Sequence, residues 1–241
     1  RNLEPAEKEM VEGYLAHKWG VVDDLVRSGF KIKDGLALYF PFDEVDGSIV
    51  EDYSLSMRDA EAFDVNLDIP GKFGSGVQFN SIDPRNAKVK FFEGNAFSIA
   101  NNAWTISTWF DGALSDDNGS VLFRHALTNA AGGVGYLAFK QSDKKFVFYD
   151  DGYNYTDTDY SAVSLTQGWY HLVSTSQSGQ INLYLNGLEV GVISGSSNLY
   201  VESIGNLLNG RGMFSPKLDD FRVYNRTLSA SEAAELYGGG D

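Results

Sequence analysis

Short stretches of alternating apolar and polar residues recur along this chain. In Leu36-Ala-Leu-Tyr-Phe-Pro-Phe42, residues Leu36, Leu38, Phe40 and Phe42 fall on one face of a strand, with Pro41 placing that strand at an edge or near its end. Gly76–Phe79, Ala96–Ile99, Trp104–Phe110, Ser120–Arg124, Tyr136–Phe139 and Lys145–Tyr149 continue the pattern, separated by turn-forming residues. In Ile181–Ile193 apolar positions alternate on both sides of Asn186-Gly187, a pair that readily adopts the positive φ of a two-residue hairpin turn. Just upstream, Trp169–Val173 is β-prone, and the polar run Ser174–Gln180 is expected to turn it into the hairpin's first strand. Trp104, Trp109 and Trp169 are expected in the core or between sheets. Strands at this spacing predict an all-β, two-sheet antiparallel sandwich.

The first residues read differently. Pro5–Trp19 has proline near its start, acids in its first turns and Met10, Tyr14 and His17 or Lys18 at helical spacing, with Gly20 placed to end a helix. Residues 1–20 are therefore expected to form a short N-terminal helix, residues 21–33 a connector, and residues 34–241 the sandwich. Arg1-Asn-Leu-Glu-Pro-Ala-Glu7 also matches Arg226-Thr-Leu-Ser-Ala-Ser-Glu232 at Arg, Leu and Glu. That repetition raises the expectation that the helix is the tail of a preceding repeat; the other reading is that it packs on this sandwich.

Three segments together carry a family resemblance: Gly168–Val173 with its Trp-Tyr-His, the Leu183-Tyr-Leu-Asn-Gly187 hairpin, and the closing Leu218-Asp-Asp-Phe-Arg-Val-Tyr-Asn-Arg-Thr-Leu-Ser229. Over roughly Asp34 to Tyr237 the chain resembles the laminin-G-like, concanavalin-A-like jelly-roll domains of large modular bacterial extracellular proteins. Glu12–Gly20 resembles a helix that follows such domains. The resemblance implies a jelly roll, an extracellular or cell-surface location, recognition of a glycan or cell-surface protein, and neighbouring domains in the same chain. It also implies a rim metal, for which calcium is the candidate. The matching positions are Asp43 and Asp219 or Asp220, with Asp46 and Asp52 as further candidates in the loop between early strands. Simple alternation would set Asp219 and Asp220 on opposite faces, so both need not hold one ion. The fold itself hosts lectins, adhesion modules and enzymes.

Charge and composition narrow the partners. A net charge of −14 argues against nucleic acid, whose binding needs a basic surface. No apolar run is long enough to span a bilayer, and the absence of cysteine removes disulfides and thiolate metal sites. The segment Tyr149–Tyr160 concentrates four tyrosines and four aspartates. Tyr149, Asp150, Asp151, Tyr153, Asn154, Tyr155 and Asp157 are the candidate ligand-binding residues, because tyrosine offers an apolar face to a sugar ring while Asp and Asn accept its hydroxyls. A metal loop and a plain acidic hairpin rim are the competing readings.

Catalysis has little to build on. Glu44-Val-Asp46 begins the alternating-carboxylate pattern of concanavalin-A-like glycosidases, but the second Glu is missing. There is no Gly-x-Ser-x-Gly elbow; His171 is expected to be structural, leaving His125 as the one histidine with a plausible functional position. The expectation is thus a non-catalytic binding or adhesion module. The alternatives are a structural spacer in a tandem array or an ancillary module of a polysaccharide-degrading enzyme. Asn118, Asn154 and Asn225 begin Asn-x-Ser/Thr sequons.

Overall fold

In a computed structural model of the chain, the structure describes residues 32–44, 47–79, 87–91, 97–99, 102–112, 120–125, 135–140, 144–149, 155–157, 164–194, 199–205 and 217–238. The strands in chain order are β1 (Leu36–Phe40), β2 (Ile49–Val50), β3 (Ala60–Phe63), β4 (Val65–Pro70), β5 (Ser75–Phe79), β6 (Lys88–Phe91), β7 (Phe97–Ile99), β8 (Trp104–Asp111) and β9 (Ser120–His125). They continue as β10 (Gly135–Lys140), β11 (Lys145–Tyr149), β12 (Tyr155–Asp157), β13 (Trp169–Gln177), β14 (Gln180–Leu185), β15 (Leu188–Ser194), β16 (Leu199–Gly205) and β17 (Leu218–Tyr224), followed by helix α1 (Ala230–Gly238). The N-terminal helix expected over residues 1–20, and the connector apart from Ile32 and Lys33, lie outside the described residues.

Two antiparallel sheets form the jelly-roll sandwich. One runs β15-β14-β13-β8-β17-β5-β4 with β1 also on β17, and the other runs β12-β11-β10-β9-β16-β6-β3-β2 with β7 also on β16. Strand β8 lies between β13 and β17, both distant in sequence. The fold therefore rests on long-range pairing and cannot be assembled from local hairpins alone. Between the sheets lies the main core, with Leu38, Phe40, Phe42, Trp104, Phe110, Phe146 and Phe221 among its buried members.

The hairpins form where turn chemistry allows. Asn186 and Gly187 have φ of 50° and 77°, and Ser178 and Gly179 have 51° and 87°, the left-handed pairs of a tight turn. The expected turn over Ser174–Gln180 is corrected: β13 runs on to Gln177, with Ser174, Thr175 and Ser176 buried inside it. Their hydroxyls make a buried strand position tolerable when bonded, as Ser176 Oγ is to the Asn102 carbonyl at 3.1 Å.

A second apolar cluster covers the other face of the first sheet. Ile32, Val173, Tyr184, Tyr224, Leu228, Ala233 and Leu236 meet there under α1, and Leu36 packs against them. Leu36 leaves the face it was expected to share with Leu38 because the β1–β17 register shifts between the two. The helix start is fixed by a capping box. Ser229 N–H donates to Glu232 Oε2 at 2.8 Å, and Glu232 N–H donates to Ser229 Oγ at 3.3 Å. Arg226 Nη2 holds Glu232 Oε1 at 2.6 Å, keeping that carboxyl low, at about 2.

Candidate functional site

The closing strand builds the site through one extra residue. Asp219 stands opposite Trp109 and Arg222 opposite Ser107, so Asp220 and Phe221 together face the single position Thr108. The extra residue is taken up by a local change of backbone conformation, and Asp220 is left-handed there, with φ 55°. Leu218 and Phe221 consequently both enter the core, and the expectation from simple alternation that Asp219 and Asp220 lie on opposite faces is overturned. The two carboxylates still diverge in partner. Asp220 Oδ2 pairs with Arg222 Nη2 at 2.7 Å, whereas Asp219 Oδ2 accepts the Phe73 N–H at 2.8 Å.

Phe73 belongs to the β4–β5 hairpin, whose glycines let the backbone reach these carboxylates. A Cβ on Gly71 would lie 2.7 Å from Asp219 Oδ2, and one on Gly74 would lie 2.5 Å from Asp43 Oδ1. Asp43 Oδ1 accepts the Ser75 N–H at 3.1 Å. It follows Phe42, a fully buried residue with φ 59°, an unusual conformation for a bulky side chain. Left-handed residues thus occur at both approaches to the hairpin, where local strain is held in place by the packing around it.

The electrostatics are those of an acid short of a counter-charge. Asp219 is 1% exposed, and its Oδ1 is buried without a hydrogen-bond partner. Burial pushes its carboxyl up to about 8; Asp220 and Asp43 push the same way against backbone bonds from Phe73 and Lys72. Nearby, Glu44 Oε1 accepts the Glu51 N–H at 2.9 Å, its Oε2 is buried without a partner, and burial raises that carboxyl to about 7. The donor set around Asp43 and Asp219 is all oxygen, which fits calcium in kind. Among the described residues no three or more His, Cys, Asp or Glu side chains gather as a metal cluster, so an ion here would also need backbone carbonyls or water.

Asp52 has a different task. Its Oδ1 accepts the N–H groups of Tyr39 and Ser54, both at 2.9 Å, and its Oδ2 accepts Ser54 Oγ, Ser56 Oγ and the Arg58 N–H. It staples the loop after β2 onto β1 with no lone pair to spare. Asp46 lies outside the described residues.

Within the tyrosine-rich segment, the end of β11 pairs antiparallel with β12. Tyr149 pairs with Tyr155 and Val147 with Asp157, while Asp150, Asp151, Tyr153 and Asn154 lie outside the described residues. Among the tryptophans, Trp104 is fully buried in the main core, Trp169 is half-buried, and Trp109 lies on the face beside the rim. Phe73, His171 and Tyr237 surround the Trp109 ring at centroid distances of 5.7, 4.9 and 5.7 Å, and Lys72 Nζ sits 4.7 Å over it. His171 Nε2 is 2.8 Å from Ser107 Oγ, and burial lowers the imidazole to about 3. Both residues are buried and His171 Nδ1 has no partner, so this pair lacks the carboxylate and the access of a nucleophilic site. The side chain of His125 and all of His17 lie outside the described residues. Sequence reasoning missed the hairpin's role, although Gly71, Gly74 and Gly76 signalled a close backbone approach.

Comparison with known proteins supports the architecture. The binding domain of Paraclostridial Mosquitocidal Protein 1 superposes with a TM-score of 0.51 at 20% identity, over 84% of this chain and 52% of that one. Domain 4 of AbnA, a GH43 extracellular arabinanase from Geobacillus stearothermophilus solved with arabinotriose, gives 0.60 at 18% identity, over 84% of this chain and 98% of that one. Trypanosoma rangeli sialidase in complex with sialic acid gives 0.61 at 17% identity, over 93% of this chain but 38% of the sialidase chain. In another sialidase structure the matched part is 32% of the chain, so this chain spans about a third of those enzymes. No curated protein matches the sequence. A laminin-G-type family model covers residues 83–234, and with the two-sheet architecture this establishes that the chain belongs to the Concanavalin A-like lectin/glucanases superfamily.

Proposed function

We propose that this domain is a non-catalytic carbohydrate-recognition module of an extracellular protein, with calcium bound at the Asp43–Asp219 rim and a glycan contacting the β11–β12 pair. The observation that carries the rim assignment is the buried, partnerless Asp219 Oδ1 beside a second aspartate on a glycine-lined hairpin. Burying a carboxylate this deeply is costly unless a positive charge offsets it. The glycan assignment draws on superfamily membership, on Tyr149 and Tyr155 occupying paired strand positions, and on the similarity to an arabinanase domain solved with arabinotriose. The incomplete carboxylate motif at Glu44–Asp46 and the sealed Ser107–His171 pair favour binding over hydrolysis. No helix among the described residues is long and apolar enough to cross a membrane. The test is calorimetry with arabino-oligosaccharides and a wider glycan array, with and without calcium. Binding weakened by Tyr153→Ala and Tyr155→Ala at unchanged melting temperature is expected; unchanged affinity moves the glycan site elsewhere.

A tandem-array context is a second reading, favoured by one observation. The residues repeated at Arg1, Leu3 and Glu7 correspond to Arg226, Leu228 and Glu232, which in this fold supply an ion pair, a buried anchor and a capping box. If residues 1–31 close a preceding domain, deleting them leaves the melting temperature of residues 32–241 unchanged. A fall of many degrees would instead make them part of this sandwich.

A further inference from the structure

The turn between β14 and β15 carries a chemistry that the surrounding fold holds in check. Asparagine followed by glycine is prone to deamidation, because a glycine nitrogen, with no side chain beside it, reaches the preceding amide carbon unhindered. Among the described residues Asn186 alone has glycine after it; Asn66, Asn102, Asn182 and Asn225 precede Leu67, Ala103, Leu183 and Arg226. Two features of the structure obstruct the reaction at Asn186. Its Oδ1 accepts the His171 N–H at 2.9 Å, and its own N–H donates to the His171 carbonyl at 2.8 Å. The two bonds reproduce a hydrogen-bonded strand pair, with the side-chain oxygen standing where a main-chain carbonyl would. An amide held to β13 in this way is kept from the rotation that attack by the Gly187 nitrogen requires.

Helix α1 is the second obstruction. A Cβ on Gly187 would lie 3.0 Å from Ala234 Cα and 3.5 Å from Tyr237 Cβ, so the helix rests on the glycine itself, which is held at φ 77° beneath it. Tyr237 also stacks on His171, with 6.3 Å between ring centroids. Helix and clamp therefore meet at the same two residues, and the helix is held in turn by the buried Ala233 and Leu236.

We propose that Asn186 is a covalent modification site that opens only when α1 lifts, a non-enzymatic deamidation that marks a loosened domain with isoaspartate and spares the docked one. The Gly187 nitrogen bonds to Asn186 Cγ, the side-chain nitrogen leaves as ammonia with the proton of the attacking amide, and a five-membered imide remains. Water opens that ring at either carbonyl, so the sum is an amide and water giving a carboxylic acid and ammonia, with nothing oxidised or reduced. Opening at the main-chain carbonyl routes the backbone through Cγ and lengthens it by one methylene. The longer chain does not keep both bonds to His171 while seating Gly187 under Ala234, so the mark is one-way and the helix does not re-dock. The site requires neither ion nor glycan and stands apart from the recognition reading above.

The full chain and the peptide of residues 183–190 are incubated in mildly alkaline buffer. Conversion is followed by peptide mapping that separates Asn186 from the other Asn-Gly pairs, Asn118-Gly119 and Asn209-Gly210. Isoaspartate at position 186 is expected to form at least about tenfold more slowly in the folded chain than in the peptide, because only the fraction with α1 open reacts. Leu236→Ala, which empties an anchor beneath the helix, is expected to speed conversion about fivefold or more. Ser229→Ala, which removes only the cap, gives a smaller rise and serves where Leu236→Ala does not fold, as does the parent in urea below its unfolding transition. In the converted chain the amides of α1 are expected to lose their protection from hydrogen exchange. A folded chain that converts as fast as the peptide, a peptide that does not convert, or loosened chains no faster than the parent each overturn the assignment. Retained protection of α1 after conversion overturns the one-way mark.

Discussion

Asp219 is placed where its own ionisation opposes folding: a carboxyl with one oxygen satisfied by the hairpin and the other sealed without a donor. Asp219→Asn keeps an oxygen for the Phe73 N–H and removes the charge. In chelator at pH 9 the variant is therefore expected to melt higher than the parent, by a few degrees if about 1–2 kcal/mol of burial cost is relieved, at about 2–4 °C per kcal/mol for a domain of this size. The calcium-dependent rise in melting temperature should disappear at the same time, since stabilisation by an ion requires a site that binds it in the folded state. A parent and variant that respond equally to calcium would remove Asp219 from the ion's coordination. The neighbouring Asp220 behaves oppositely. Its loss by Asp220→Ala takes from the Arg222 guanidinium, whose side chain is 13% exposed, its carboxylate partner and is expected to cost about 3–5 kcal/mol in chemical denaturation.

Elements differ in how much of them the chain advertises. The β14–β15 hairpin was legible because Asn186-Gly187 determines its turn locally, and the alternation in Leu36–Phe42 located β1 and its end at Pro41. Alternation failed wherever a register shift intervened. It could not show that Leu36 leaves the core face or that Asp219 and Asp220 stand at a bulge. Ser174–Ser176 continue β13 in regular register, and their polar side chains are what made that part of the strand look like a turn. Helix α1 is short and alanine-rich, so its weak periodicity hid it, and the Ser229–Glu232 capping box that starts it lies partly beyond the closing motif and emerges only in the structure. At this scale the energetics of α1 divide between cap and anchor. Leu228→Ala empties a position that is 1% exposed between helix and sheet and is expected to cost about 2–5 kcal/mol. Ser229→Ala removes one cap and costs about 1 kcal/mol. Denaturant midpoints that rank the two the other way would mean that the capping box, and not the apolar anchor, holds the helix down.

Over the whole molecule, burial of three ionisable groups sets how stability follows pH. Asp219 rises from 3.8 to about 8 and Glu44 from 4.5 to about 7 on folding, so each contributes stability that is complete below its unfolded value and is lost as pH climbs through the folded one. His171 falls from 6.5 to about 3; its contribution is present above 6.5 and is lost as pH drops towards 3. Between pH 8 and 6.5 the acids act with little opposition, and the ion-free protein gains stability on mild acidification. From 6.5 down to about 4.5 the histidine offsets one of the two acids and the gain slows. Below that, protonation of Glu232, held at about 2 by Arg226, adds a loss. The ion-free domain should therefore be most stable in mildly acidic solution, between about pH 4.5 and 6.5. Calcium changes the shape of the curve as well as its height. An ion at Asp219 stabilises the carboxylate, so with saturating calcium the optimum moves towards neutrality and the loss between pH 6.5 and 8 flattens. Melting curves at half-unit pH intervals, with chelator and with calcium, measure both profiles. Parallel profiles would show that calcium acts away from the buried carboxyl, and the rim would then be a structural acid with no ion to offset it.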